Sequence, residues 1–364
     1  MDHLPTDPAG RTRWFLERCE ALGFARAGVA AARPSAHTAA YEAWIAAGKH
    51  GEMRYLEQEG PQRQDPGAIV PGARSVLCVA DRYADGRRDA RVAGHGRIAR
   101  YARGEDYHQV LRARLEALAG ELRRAHPAER FRVCVDTAPL LEREHAARAG
   151  LGRIGKHTLL IAPDGLGSWT SLGAIVSTLE FAPTPALEPA DPCAGCTRCI
   201  EACPTQAIAP FSVDGARCVS YLTIEHEGPV DPALGAQVGD WVFGCDACQE
   251  ACPHAQPTRR SRRAGVHEAY APHRSAFPLL ELLGWNQQRW EAARLNGVLA
   301  RVGPAGWRRN AALACIGALA DPGLDAGLRE ALLARLHALA ASMDEPPAVR
   351  QAAQQAIDST RAAR

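Results

Sequence analysis

The sequence predicts an α+β multidomain chain: an α/β domain over residues 1–182, a cysteine-rich module over 183–257, and a basic segment with HEAT-like α-helices over 258–364. Three observations predict it. Strand-like and helix-like patterns alternate up to about Phe181, two tight cysteine runs follow a proline-rich stretch, and short amphipathic helical segments fill the last third.

In the first region Arg74 to Ala80 and Phe131 to Val135 are apolar runs of strand length. Asp106 can cap a helix whose stripe is Val110, Leu111, Leu115, Leu118 and Leu122. Pro139 to Ala149 reads as a further helix, which leaves Asp136 at the carboxyl end of a strand, where α/β sheets place ligands and chemistry. Asp136 or Thr137 serves equally well as the cap of that helix, whose Pro139 and Glu142 suit a first turn. Gly150, Gly152, Gly155 and Lys156 match a dinucleotide fingerprint, but a phosphate site needs strand, glycines and helix in that order. Here the glycines leave a helix and Thr158 to Ile161 reads as the next strand, so nucleotide binding is not expected. With no nicotinamide or flavin site in the chain, electrons are expected from an external one-electron donor.

Pro183, Pro185, Pro189 and Pro192 lead into the cysteine module. Cys193, Cys196, Cys199 and Cys203 read C-x2-C-x2-C-x3-C-P, and Cys245, Cys248 and Cys252 repeat the second half of that pattern. Such a run holds the corner irons of a cubane, and its last cysteine normally serves the other cluster. Two [4Fe-4S] clusters are expected, one on Cys193, Cys196, Cys199 and Cys252, the other on Cys203, Cys218, Cys245 and Cys248, with the isolated Cys218 as the eighth ligand. Structural zinc is the competing reading, but zinc sites usually pair two C-x2-C halves. Cys19, Cys78, Cys134 and Cys315 remain as buried thiols of a reducing, cytoplasmic compartment. The first fifteen residues are no signal peptide, and no apolar stretch reaches the ~20 residues of a membrane span.

Between His254 and Asn310 ten arginines meet three acids, a local charge of +7 in a chain whose total is +2. This pole suits a polyanion, through Arg259, Arg260, Arg262, Arg263, Arg308 and Arg309. With only two lysines in the chain, compositional bias is an equal explanation. Trp307 to Leu319, Leu324 to Met343 and Ala348 to Ile357 read as helices separated by Asp-Pro and Pro-Pro breaks.

Several blocks carry a resemblance over nearly the whole chain: Arg63 to Pro66, Arg100 to His108, Val135 to Arg143, Gly155 to Thr158, both cysteine runs, Arg217 to Glu225, Phe243 to Asp246 and Trp307 to Asn310. The chain resembles the epoxyqueuosine reductases, cobalamin-dependent iron-sulfur enzymes related to reductive dehalogenases. The resemblance implies a cobalamin-binding first domain, a bacterial ferredoxin-like module with two [4Fe-4S] clusters, and a C-terminal domain that helps hold tRNA with a queuosine-type wobble base. It makes Asp136 the proton donor and puts Arg63, Thr158, Arg217, Ser220 and Asp246 against cobalamin. Reduction of the epoxide to the cyclopentene takes two electrons and two protons and releases water. For Asp136 to protonate the departing oxygen, its carboxyl is expected to stay protonated beside an apolar corrin. Tyr101, Tyr107 and His108 are possible assistants. The protein is expected to act as a monomer, without membrane contact. The rivals are a reductive dehalogenase of small organic halides, and an RNA-binding protein with structural clusters.

Overall fold

The computed structural model describes residues 5–188, 191–259, 265–293, 295 and 297–362. In chain order its strands are β1 (Arg26–Ala31), β2 (Ser75–Arg82), β3 (His95–Ile98), β4 (Phe131–Cys134), β5 (Arg153–Ile154), β6 (Leu160–Ile161), β7 (Thr170–Ser177), β8 (Ile208–Ala209), β9 (Ser212–Val213), β10 (Trp241–Phe243) and β11 (Ala276–Pro278).

The first region is built on a sheet of order β1-β2-β7-β4. Every neighbouring pair in it is antiparallel, which corrects the α/β expectation. The direction was hidden because β2 is buried along its whole length. A strand covered on both faces is continuously apolar whichever way its neighbours run. Leu77 and Val79 face the helices Pro8–Ala21 and Tyr107–Ala125, packing with Phe15, Leu111, Leu115, Leu118 and Leu122. Val76, Cys78 and Ala80 point the other way, onto Ala146 and Leu140 around the helix Glu142–Arg148. The two-residue alternation of a strand therefore builds two cores from one segment. Asp106 caps its helix as expected, accepting from the backbone N–H of His108 at 2.9 Å.

A second sheet joins β3 from the first region, β10 from the cysteine module and β11 from the basic segment, in the order β10-β3-β11. Ile98, Val242 and Phe243 lie in one core with Phe277, Trp285, Trp307 and the C-terminal helices. The three divisions of the sequence are thus stitched together. Helices Pro304–Ala320 and Ala326–Ala341 both pack on Pro347–Ala362, close to the bounds the breaks predict. No helix among the described residues is long and apolar enough to cross a membrane.

Candidate redox and active site

Cys193, Cys196, Cys199 and Cys252 line one cavity, together with His157, Pro253 and His254. The first loop is tied by Asp191, which accepts from the N–H of Cys193 at 2.7 Å, and by a 2.9 Å bond from the N–H of Cys196 to the carbonyl of Cys193. Cys252 arrives from the far end of the helix Ala247–Ala251, fifty residues later in a shared wall. The backbone N–H of Lys156 donates to the Cys193 sulfur at 3.4 Å.

The other four gather separately. Cys203 follows the helix Arg198–Glu201, Cys218 stands before Val219–Ile224, and Cys245 and Cys248 follow β10 past Gly244, whose φ of 64° turns the chain. Burial first, then the charges of Cys218 and Cys203, push the Cys245 thiol well above its ordinary pKa. Cys248 is pushed up likewise, by burial and then by Cys245 and Cys218, and Cys199 of the first set also acts on it, so the two sets are neighbours. Among the described residues no group of three His, Cys, Asp or Glu is arranged to hold a single metal ion. Two sets of four cysteines are the donor chemistry of two [4Fe-4S] clusters.

Asp136 leaves β4 with a φ of 47°, in the left-handed region. The helix after it starts at Glu142, not at Pro139, and its N-cap Leu141 makes no side-chain cap. The capping role for Asp136 or Thr137 is therefore excluded. Asp136 Oδ2 lies 2.9 Å from His108 Nε2, while His108 Nδ1 lies 2.8 Å from Asp106 Oδ1. Both ring nitrogens thus face carboxylate oxygens, and both can donate only as imidazolium. Burial opposes that charge, but the bonds to Asp136 and Asp106 outweigh it and raise the His108 pKa. Asp136 is open on one side, with 56% of its side chain exposed, and walled by protein on the others. Burial would raise its pKa, but hydrogen bonds from His108 and Tyr107, the His108 charge and Arg301 draw it below the ordinary value. The pairing thus draws Asp136 toward the carboxylate and His108 toward the imidazolium.

Around this pair the structure brings together residues that sequence reading passed over. Arg301 acts on Asp136 and is paired with Glu225 at 2.7 Å. Burial lifts Glu142 to about 8, helped by the charge of Asp136 and opposed by Arg143 and Arg63. Arg143 donates to the carbonyl (2.7 Å) and hydroxyl (3.0 Å) of Thr158, whose φ is 65°. No local pattern distinguishes such charges from surface ones; only the left-handed backbone at Thr158 marks the loop.

The remaining expected contacts lie on separate elements. Arg63 is buried, pairs with Glu59 at 2.8 Å and lies 5.6 Å from the Tyr55 ring centroid. Arg217 donates to the carbonyl of Thr205 at 3.0 Å, and Ser220 opens the short helix after Cys218. Asp246 is buried beside Cys245 and accepts from the Arg100 N–H at 2.9 Å and guanidinium at 3.2 Å. Burial raises its pKa to about 6 against the pull of Arg100.

Two of the six arginines expected at a polyanion are structural. Arg309 is 2% exposed and donates to the carbonyls of Leu222 (2.8 Å), His226 and Gly228, and burial lowers its pKa to about 10. Arg308 pairs with Glu345 at 2.8 Å and donates to the carbonyl of Trp285. Both guanidinium groups are consumed inside the protein, which corrects their assignment to tRNA. Arg259 is exposed, and Arg260, Arg262 and Arg263 lie outside the described residues.

Two neighbouring four-cysteine sets beside an acid–imidazole pair define an iron-sulfur oxidoreductase. The family model "Epoxyqueuosine reductase QueG, DUF1730" matches residues 63–137, and a 4Fe-4S double cluster binding domain matches residues 192–255. The epoxyqueuosine reductase of Alicycliphilus denitrificans is 39% identical over 342 residues, covering 89% of this chain and 92% of that protein. A crystal structure of epoxyqueuosine reductase with a tRNA-Tyr epoxyqueuosine-modified stem loop aligns with TM-score 0.81 at 27% identity, covering 95% of this chain and 89% of that one. The Bacillus subtilis enzyme with its aspartate-bearing catalytic loop swung out of the active site aligns at 0.79 and 26% identity, with 95% and 89% covered. The chain belongs to the epoxyqueuosine reductase family.

Proposed function

We infer that this protein reduces epoxyqueuosine to queuosine at the wobble position of a tRNA anticodon loop, with cobalamin and two [4Fe-4S] clusters as its redox groups. The observation that carries the reading is the joint one: kinship over 89% of the chain, and the Asp136–His108 pair set beside two four-cysteine sets. Cys193, Cys196, Cys199 and Cys252 hold one cluster and Cys203, Cys218, Cys245 and Cys248 the other, fed singly by an external donor. Arg63, Thr158, Arg217, Ser220 and Asp246 hold cobalamin, which when bound supplies a strongly reducing cobalt to the epoxide carbon.

The chain's own part is orientation and proton supply. The His108 imidazolium passes its proton through Asp136 Oδ2, 2.9 Å away, to the departing epoxide oxygen. Asp106, 2.8 Å from the other ring nitrogen, holds the ring in line and stabilises its charge. Glu142, neutral near pH 7 because burial lifts it to about 8, is the nearby source for the second proton. Arg259, with Arg260, Arg262 and Arg263, grips phosphates of the stem-loop.

Anaerobic reconstitution with an epoxyqueuosine stem-loop, followed by mass analysis of its nucleosides, tests the reading. Loss of one oxygen from the modified base is expected, at a rate well above that of the free nucleoside. Protein loaded with about eight irons and with cobalamin that leaves the epoxide intact would overturn it.

A further inference from the structure

The hairpin of β5 and β6 carries Lys156, His157 and Thr158 at its tip, closed by a bond from the N–H of Thr158 to the carbonyl of Gly155 at 2.8 Å. The N–H of Leu159 donates to His157 Nδ1 at 3.2 Å. That nitrogen is thereby an acceptor, so the ring is neutral and its proton sits on Nε2. Nε2 is buried without a hydrogen-bond partner, His157 is only 3% exposed, and its side chain lines the cavity of Cys193, Cys196, Cys199 and Cys252. The other donors at this wall are committed. His254 Nε2 bonds the carbonyl of Pro192 at 3.0 Å, the Lys156 N–H is on the Cys193 sulfur, and Lys156 Nζ bonds the carbonyls of Ala194 and Cys196. A buried N–H is rarely left orphaned, and the cavity this residue lines is the one the four cysteines share.

We propose that His157 donates its Nε2–H to a sulfur of the cluster on Cys193, Cys196, Cys199 and Cys252, and so sets that cluster's reduction potential. The proposal rests on the cluster assignment made above. Reduction adds one electron from the external donor to the cluster and moves no proton. It increases the negative charge on the sulfurs, so a fixed donor aimed at them favours the reduced state and raises the potential. The next residue, Thr158, is held by Arg143 and is one of the residues assigned above to cobalamin, so on that reading one hairpin tip serves both redox groups.

The test uses anaerobic holoenzyme in a dithionite titration followed by electron paramagnetic resonance. In His157→Leu with full iron, one of the two cluster midpoints should fall by about a tenfold change in equilibrium constant, ~59 mV for one electron, and the other should not move. His157→Asn, which keeps an N–H, should stay near wild type. A second measurement needs no variant at this position. With ¹⁵N-histidine, pulsed resonance on the reduced wild type should show a nitrogen coupling that persists in His254→Gln. Unchanged midpoints in fully loaded His157→Leu, or no histidine coupling in wild type, would overturn the proposal. Failure of the cluster assignment is separately visible, as missing iron and sulfide in the wild type before any titration.

Discussion

The loop of Asp136 and the wall behind Cys245 are built in opposite ways. Asp136 sits at a φ of 47°, half exposed, several residues ahead of the helix that follows, and its side chain is held by His108 and Tyr107. Such a backbone costs about 1–3 kcal/mol and persists only while its surroundings hold it. Behind Cys245, Phe243 stacks on Trp307 at 5.7 Å, Phe277 and Trp285 pack edge-on against Trp307, and Asn310 donates to the carbonyls of Thr223 (2.7 Å) and Val242 (2.9 Å). The group that must meet a substrate rides on a half-exposed loop, and the ligands that must keep a fixed geometry ride on a closely packed aromatic core.

The contrast predicts what each change breaks. Asp136→Asn keeps the left-handed backbone, which Asn tolerates, but cannot relay a proton. Turnover of the stem-loop should fall roughly 10²–10⁴-fold while cobalamin and tRNA binding hold. A wild-type rate would remove Asp136 from the chemistry. Arg309→Ala should do the reverse, costing about 3–5 kcal/mol in chemical denaturation because buried carbonyls lose charged donors, with tRNA affinity per folded molecule unchanged. Weaker tRNA binding without loss of stability would restore its phosphate role.

His108→Gln should lower turnover roughly 10²-fold, the low end of acid catalysis, and change its pH profile. The folded His108 pKa is raised, so its stabilising contribution is full below the unfolded value of about 6.5 and is lost as pH rises through the folded value. Asp136, drawn down, contributes above its unfolded value of about 3.9 and loses that contribution on acidification. Wild-type turnover should therefore fall on the alkaline side as His108 and Glu142 deprotonate, and in the variant only the fall near 8 that belongs to Glu142 should remain. An unchanged limb would place the proton elsewhere. The smallest effect is expected at Arg259→Ala, which should flatten the salt dependence of tRNA binding by about 0.7–0.9 in logarithmic slope. An identical slope would separate the basic segment from the nucleic acid.

What the sequence made legible was local or chemically peculiar. The Asp106 cap, the Leu111 to Leu122 stripe, β2 and β4 follow from spacing alone, and the cysteine runs from a ligand pattern few other chemistries require. Strand direction was not legible, because β2 pairs with β7 almost a hundred residues away and both faces are apolar. Arg308 and Arg309 counted toward a positive pole because charge in a sequence carries no sign of depth, and an arginine that satisfies three carbonyls looks like one awaiting a phosphate. The partner of Asp136 was hidden for a related reason. Burial was foreseen, but the imidazole that outweighs it stands on another element, twenty-eight residues earlier.

The sheet that threads β3, β10 and β11 together also constrains the order of events at the ribosome. While the chain is being made, β10 emerges with a partner already available in β3, but β11 and the helix bearing Trp307 come later. The wall behind Cys245 and Cys248 is therefore complete only once the chain has been made through Asn310. A premature stop between Cys252 and Phe277 would leave all eight cysteines present and the wall behind half of them without Phe277, Trp285 and Trp307.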